Sequence, residues 1–359
     1  MAKATRHQRR TVLRVIIVTE LVVALLTGAT VAFAYNQVNH QIDVGAPIPH
    51  SPGVKREPKL PKSALNILVL GTDTRSCDGC GIDSQAGGGG SDLTILLHVA
   101  KGRKSAYGIS IPRDTLVDRP ECTVEGKTIP AETNVMWNDA LAAGGPACTA
   151  VQVQELTGIY VDHYIVVDFA GFKDMVNAVD GVEVCIPSDI DDDEHNIHLE
   201  AGTRKLYGND SLAYVRQRSS TPNSDLGRMK RQQAFIASML AKVMSAQTLT
   251  RPDKVLDFAR ALGGSITTDP EISSVGKLGK LGLSLRDANL DKIRFVTAPT
   301  ADFPTDSPYW GRLQLTDAAP ALWAKVKKDE PLGSLGKGAI SGKNQSGSKE
   351  EAAANGLCS

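Results

Sequence analysis

Asp73, in Gly71-Thr72-Asp73-Thr74-Arg75, follows directly on a short apolar run at 65–70, and Asp92 opens the next run, 93–99. A third run, 106–111, ends on Pro112-Arg113-Asp114. Short apolar runs of this kind read as strands, and Lys101-Gly102-Arg103-Lys104 as the hairpin turn between the second and third. If the first two also pair antiparallel, Asp73, Arg75, Asp92, Arg113 and Asp114 all arrive at one edge of a sheet. Open α/β sheets bind ligands at such edges. The chemistry that fits is phosphoryl binding. Two carboxylates such as Asp73 and Asp92, together with phosphate oxygens, suit Mg2+, which keeps an octahedral oxygen shell with few protein ligands. The plain alternative is that strand ends are polar because they meet water.

A second basic set lies further along. Arg216 and Arg218, in Tyr214-Val215-Arg216-Gln217-Arg218, share a face if that stretch is extended. Arg228 and Gln232 stand i, i+4 on one face of a long amphipathic pattern at 226–245, with Asp225 as its N-cap. The planar guanidinium fork suits multidentate phosphate recognition. A solvated basic helix face would look the same. The acidic stretch 189–194, with His195 and His198 beside it, reads as an exposed loop rather than a metal site.

The elements needed to hold these groups are legible as patterns. Besides the three strands, 146–157 reads as a helix, 161–168 as a strand, 169–179 as a helix and 182–186 as a strand. Helices and strands alternating around a mixed sheet predict an α/β fold, an α-β-α sandwich around a mixed central sheet. Residues 64–330 are expected to form one large domain.

The flanks carry the cellular address. Residues 1–14 hold Lys3, Arg6, Arg9, Arg10 and Arg14 and no acid, and 15–34 is apolar apart from Glu20 and a few Thr and Gly. Twenty helical residues span about 30 Å, the hydrocarbon thickness of a bilayer. The reading is a basic cytoplasmic segment 1–14, a transmembrane helix 15–34, and everything after it outside. A cleaved signal peptide is the competing reading, since Ala-Phe-Ala offers a small-residue site. Residues 35–63, with five prolines, read as an extended stalk, and 331–359 as a disordered tail.

Six cysteines agree with an oxidising compartment. Cys122 and Cys148 flank a single segment and are the favoured pair, Cys77-x-x-Cys80 lacks the further ligands of a zinc site, and Cys358 is expected to have no structural role. Forty basic residues balance forty acidic ones and aromatics are only 5%. Neither the basic excess nor the stacking surface of a nucleic-acid binder is present, so no nucleic-acid partner is expected.

Taken in order, these blocks resemble the LytR-CpsA-Psr family. The match runs from Leu70-Gly71-Thr72-Asp73-Thr74-Arg75 through Ser91-Asp92 and Ser110-Ile111-Pro112-Arg113-Asp114 to Leu156-Thr157-Gly158, Val167-Asp168-Phe169 and Gly181-Val182-Glu183-Val184. It closes on Ala213-Tyr214-Val215-Arg216-Gln217-Arg218 and Asp225-Leu226-Gly227-Arg228-Met229-Lys230-Arg231-Gln232-Gln233. The resemblance implies a membrane-anchored phosphotransferase that moves a glycopolymer from a polyprenyl-pyrophosphate carrier in the membrane lipid onto peptidoglycan. It implies Mg2+ on Asp73 and Asp92, and pyrophosphate on Arg75, Arg113, Arg216, Arg218, Arg228 and Gln232. Asp114 is a candidate proton acceptor by position. Gly90 departs from the family pattern, which commonly has an arginine there. The family has also been described as transcriptional attenuators, but no DNA-binding motif is present. A wall-binding module without catalysis and a pyrophosphate hydrolase are the other readings.

Overall fold

Side chains alternate between two apolar faces along the central strands, so the sheet has to be covered on both sides. The computed structural model describes residues 6–39, 42–56, 63–72, 91–103, 105–193, 197–217, 224–245, 252–264, 266–286, 293–336, 338–340 and 358. Seven strands form the sheet: β1 (Asp43–Val44), β2 (Leu65–Thr72), β3 (Ser91–Val99), β4 (Ala106–Ile111), β5 (His163–Asp168), β6 (Ile266–Thr268) and β7 (Arg294–Thr297). Their order is β1-β6-β5-β2-β3-β4-β7. β2, β3 and β4 form an antiparallel meander, whereas β2 with β5, β4 with β7 and β1 with β6 are parallel, so the sheet is mixed as expected.

The helices are α1 (Arg6–Asn39), α2 (Asp139–Thr157), α3 (Phe169–Ala178), α4 (Gly208–Arg216), α5 (Ser224–Val243), α6 (Pro252–Gly263), α7 (Val275–Arg286) and α8 (Ala318–Lys327). On one face, Leu68, Leu70, Leu96 and Ile109 pack against Ala147, Ala150 and Val153 of α2 and Leu322, Trp323 and Val326 of α8. On the other, Val69, Ile95, Val99 and Phe295 pack against Ala234, Ala237 and Leu240 of α5. Each strand's two-residue period thus feeds two cores, which is the α-β-α sandwich. A satellite core joins α3, α4 and α5 to the hairpin of strands Val182–Ile186 and Gly202–Leu206.

Several local expectations are corrected. Residues 42–56, read as stalk, belong to the domain: β1 pairs with β6, Ile42 and Ser51 are buried, and the Tyr164 hydroxyl donates to the Ala46 carbonyl at 2.6 Å. Proline removes donors but leaves its carbonyl, and Pro49 O accepts from Gln154 Nε2. The disordered tail does not begin at Pro331. Leu332 and Ile340 are buried and Ile340 bridges Phe295 of β7, because apolar residues sit among the glycines there. Cys358, expected to be idle, is bonded to Cys185, and Cys122 pairs with Cys148 as expected. Helix α2 starts at Asp139 rather than Pro146, kinked at Gly145 with φ +73°. The stretch through Arg216, expected to be extended, is helix α4, whose C-cap is Gln217.

Helix α1 is continuous over 34 residues, and its apolar side chains from Leu13 to Leu26 are exposed. Among the residues whose side chains are described, no helix is long and apolar enough to cross a membrane.

Candidate active site at one edge of the sheet

Strand register decides which residues share an edge. Thr72, the last residue of β2, pairs with Asp168 of β5 on one side and Ser91 of β3 on the other. Ile111 pairs with Thr94, and Ser110 with Thr297 at the end of β7. The C-terminal ends of β2, β4, β5 and β7 and the N-terminal end of β3 therefore lie together. β1 runs the opposite way, so α1 hands over to the sheet at this same edge.

The β3–β4 register, continued past Thr94↔Ile111, sets Asp92 opposite Arg113, and their side chains meet. Arg113 Nη1 donates to Asp92 Oδ1 at 2.5 Å, and its Nε lies 3.4 Å from Asp114 Oδ2. Arg312 Nη1 donates to the other Asp114 oxygen at 2.9 Å. The result is an alternating chain, Asp92–Arg113–Asp114–Arg312. Charges here are one-fifth to two-fifths exposed, which leaves them open to a ligand while their partners fix their positions. The first three were expected to converge. Arg312 was not: it stands almost two hundred residues after Asp114 in the chain, on a hairpin of strands Thr300–Asp302 and Leu313–Leu315. That hairpin is tied down where Leu313 N donates to the Asp114 carbonyl and Thr115 bridges Leu313. No local motif marks Arg312, and its one signal would have been a long-range pairing invisible in a single sequence.

Arg216, the last residue of α4, lays its guanidinium 4.5 Å from the centroid of the Phe169 ring. Phe169 begins α3 immediately after Asp168, whose Oδ1 caps that helix through Gly171 N at 2.7 Å. Asp168 is thus a structural cap, and Arg216 is held at the functional edge by a cation–π contact. The first turns of α5 come to the same edge. Gln233 Nε2 donates to Ser110 Oγ and Thr297 Oγ1, tying the helix to the ends of β4 and β7. Arg228 and Gln232, both buried, precede Gln233 on that helix. Gln232 Nε2 donates to the Val215 carbonyl at 3.1 Å, while its buried Oε1 has no hydrogen-bond partner among the described residues. Arg231, which the sequence did not single out, donates to the Gln217 carbonyl and fixes the end of α4 against α5. Burial pulls its guanidinium below the ordinary value and pushes the neighbouring Tyr214 hydroxyl up to about 12.

Asp73, Arg75, Arg218, Gly90, Cys77, Cys80, His195 and Glu194 lie outside the described residues. His198 is half exposed beside Asp191, in keeping with a surface loop. Among the described residues no group of three or more metal-binding side chains occurs. The chemistry of Asp92 still fits one end of a magnesium site: it is a hard oxygen donor, part exposed, with Oδ1 taken by Arg113.

Residues 30–319 match the LytR_cpsA_psr family. Similar proteins include the cell wall biosynthesis protein LcpA of Corynebacterium glutamicum, 34% identical over 236 residues, which covers 57% of this chain and 45% of the relative. The polyisoprenyl-teichoic acid–peptidoglycan teichoic acid transferase TagV of Bacillus subtilis is 31% identical over 203 residues, 55% of this chain and 48% of that protein. The chain spans about half the length of these curated relatives. Among solved structures, protein gbs0355 of Streptococcus agalactiae superposes with a TM-score of 0.61 at 26% identity, over 76% of this chain and 90% of that one. With a match that runs across most of its length, the chain belongs to the LytR-CpsA-Psr family.

Proposed function

We infer that this protein is a membrane-anchored phosphotransferase that moves a glycopolymer from a polyprenyl-pyrophosphate carrier onto peptidoglycan. The observation that carries the reading is the gathering of Arg113, Arg216 and the Gln232 amide at one sheet edge, the same edge at which α1 hands over to β1. A lipid-linked donor is confined to the membrane, so its pyrophosphate has to be met on the edge of the domain that the anchor approaches. The names of similar proteins, teichoic acid transferases among them, support the same class of reaction. The anchor is assigned to 15–34 within the continuous helix α1, with 1–14 cytoplasmic and the domain outside. Two disulfides agree with an oxidising compartment.

In the proposed reaction a peptidoglycan sugar hydroxyl attacks the glycan-side phosphorus. A new P–O bond forms, the bond to the bridging oxygen breaks, and polyprenyl phosphate leaves. Arg113 and Arg216, with Arg75, Arg218 and Arg228, bind the donor's phosphoryl oxygens and balance the charge that moves onto the leaving phosphate. Asp73 and Asp92 are the proposed holders of Mg2+, which would supply further charge neutralisation when bound. Asp114, first considered as a base, already has each carboxylate oxygen facing an arginine, and we assign it to positioning Arg113. The hydroxyl proton is carried off on the departing polyprenyl phosphate, so the step balances without Asp114 as a base.

A synthetic polyprenyl-pyrophosphoryl glycan offered with peptidoglycan oligomers tests this reading. Transfer that depends on Mg2+ and on Arg216 is expected. Binding without turnover would reduce the protein to a wall-binding module, and release of phosphorylated glycan to water alone would make it a hydrolase.

A further inference from the structure

The hairpin loop that delivers Arg312 also carries the most exposed aromatic residue among the described residues. Trp310 is 67% exposed and Tyr309 37%, whereas the chain's other two tryptophans, Trp137 and Trp323, are buried. An exposed indole held in place beside the Asp114–Arg312 pair offers a flat apolar face with a polar N–H to a ligand. The loop is ordered from within. Ser307 N donates to Pro304 O, Trp310 N to Ser307 O, Arg312 N to Tyr309 O, and Phe303 N to Arg312 O. Tyr309 N also donates to Ser307 Oγ, and the Phe303 and Tyr309 rings pack with centroids 5.3 Å apart. A platform held in advance loses little freedom on binding.

Its surroundings select the ligand. Residues 301–312 carry Asp302, Asp306 and Arg312 as their only charges, a slight acidic excess, which suits neither a phosphate nor an anionic lipid surface. An aromatic face on a loop that also carries two carboxylates and one guanidinium suits a pyranose ring, whose axial C–H groups stack while its equatorial hydroxyls find polar partners. The loop's place selects which sugar. It follows β7, at the same edge that α1 enters but at the far end of the sheet from β1, six strand spacings or about 29 Å along it, so a sugar bound there is set apart from the α1 entry. Through Arg312 and Asp114 it connects directly to Arg113.

Resting on the phosphotransferase reading, we propose that Tyr309 and Trp310 form the acceptor subsite, a stacking platform for the N-acetylated pyranose rings of the peptidoglycan glycan strand. The test needs no turnover. The full-length chain in detergent micelles is titrated with a β-1,4-linked N-acetylglucosamine tetramer, following tryptophan fluorescence and acrylamide quenching, with binding also measured by calorimetry. The sugar is expected to shield tryptophan from quencher, Trp310→Ala to weaken binding at least tenfold, and Trp310→Phe to stay within about threefold of the parent. Tyr207→Ala, removing an exposed aromatic on a distant hairpin, is expected to change nothing. Equal binding by the parent and Trp310→Ala overturns the proposal, as does equal loss in Trp310→Ala and Tyr207→Ala. Loss of partition to phosphatidylglycerol vesicles with sugar binding intact would make the loop a membrane contact instead. Sugar binding that depends on Trp310 in a chain that transfers nothing would leave the platform standing and remove the phosphotransferase reading.

Discussion

Arg113 faces Asp92 on one side and Asp114 on the other, so its guanidinium is aimed before any ligand arrives. Arg216 is aimed differently, by the Phe169 ring beneath it. A lysine cannot reproduce either arrangement, because it lacks the planar fork and stacks less well. Arg216→Ala should therefore lower the rate of polymer transfer about thirty- to a thousandfold, a loss of roughly 2–4 kcal/mol, and Arg216→Lys should recover little of it. Initial rates with a saturating acceptor, on variants shown to be folded by circular dichroism, check this; rates within threefold of the parent count against a phosphate role for Arg216. Gln233→Ala should lower activity without touching substrate, by releasing α5 from Ser110 and Thr297, and should also lower the melting temperature. At this level the sequence was partly legible. Asp92, Arg113 and Asp114 sit at strand ends whose register follows from their apolar runs. Arg312 depends on packing between distant segments, which no local spacing reports, whereas the cap role of Asp168 is local, an aspartate three residues before the Gly171 amide that it accepts from.

Among the elements, β4 and β7 approach each other closely at Gly108. A Cβ on Gly108 would collide with the Phe295 ring, so Gly108→Ala should destabilise the chain by about 1–3 kcal/mol through overpacking, read as a lower denaturant midpoint. Cys122 and Cys148, 26 residues apart, close a loop for which chain entropy gives about 3 kcal/mol; Cys122→Ser with Cys148→Ser should lose about that much in urea. The end of α8 is clamped by charge. His98, buried on β3, places Nε2 2.8 Å from Asp329 Oδ1 and Nδ1 2.7 Å from Asn66 Oδ1. The His98 hydrogen bond holds the Asp329 carboxyl below its ordinary 3.8, so the folded chain takes up that proton less readily than the unfolded one. This stabilisation is complete above the ordinary value and is lost as pH falls through the depressed one. Asp329→Asn keeps the tolerance for its φ of +56° while removing the charge, and should lower the melting temperature at pH 7 more than at pH 3. The sandwich itself was legible, since period-two apolar runs and helical spacing dominate the sequence. The short edge strand β1 and the kinked start of α2 were not, because two-residue pairing and a glycine with positive φ leave no periodic trace.

For the whole molecule, the mixed sheet sets two approaches to one edge. One end of that edge is where α1 hands over to β1, and the strand at the other end, β7, leads into the Trp310 hairpin. Protease added to intact cells should remove the domain and leave a fragment containing 15–34; a mature chain beginning after Ala34 would mean a cleaved signal instead of an anchor. The central claim is that phosphorus, not sugar carbon, is attacked. Mass spectrometry of both products from the full-length chain, a polyprenyl-pyrophosphoryl glycan and peptidoglycan oligomers, tests it directly. The account predicts polyprenyl monophosphate and a peptidoglycan product that retains one phosphate between the two glycans. Polyprenyl pyrophosphate, with a product lacking that phosphate, would contradict it.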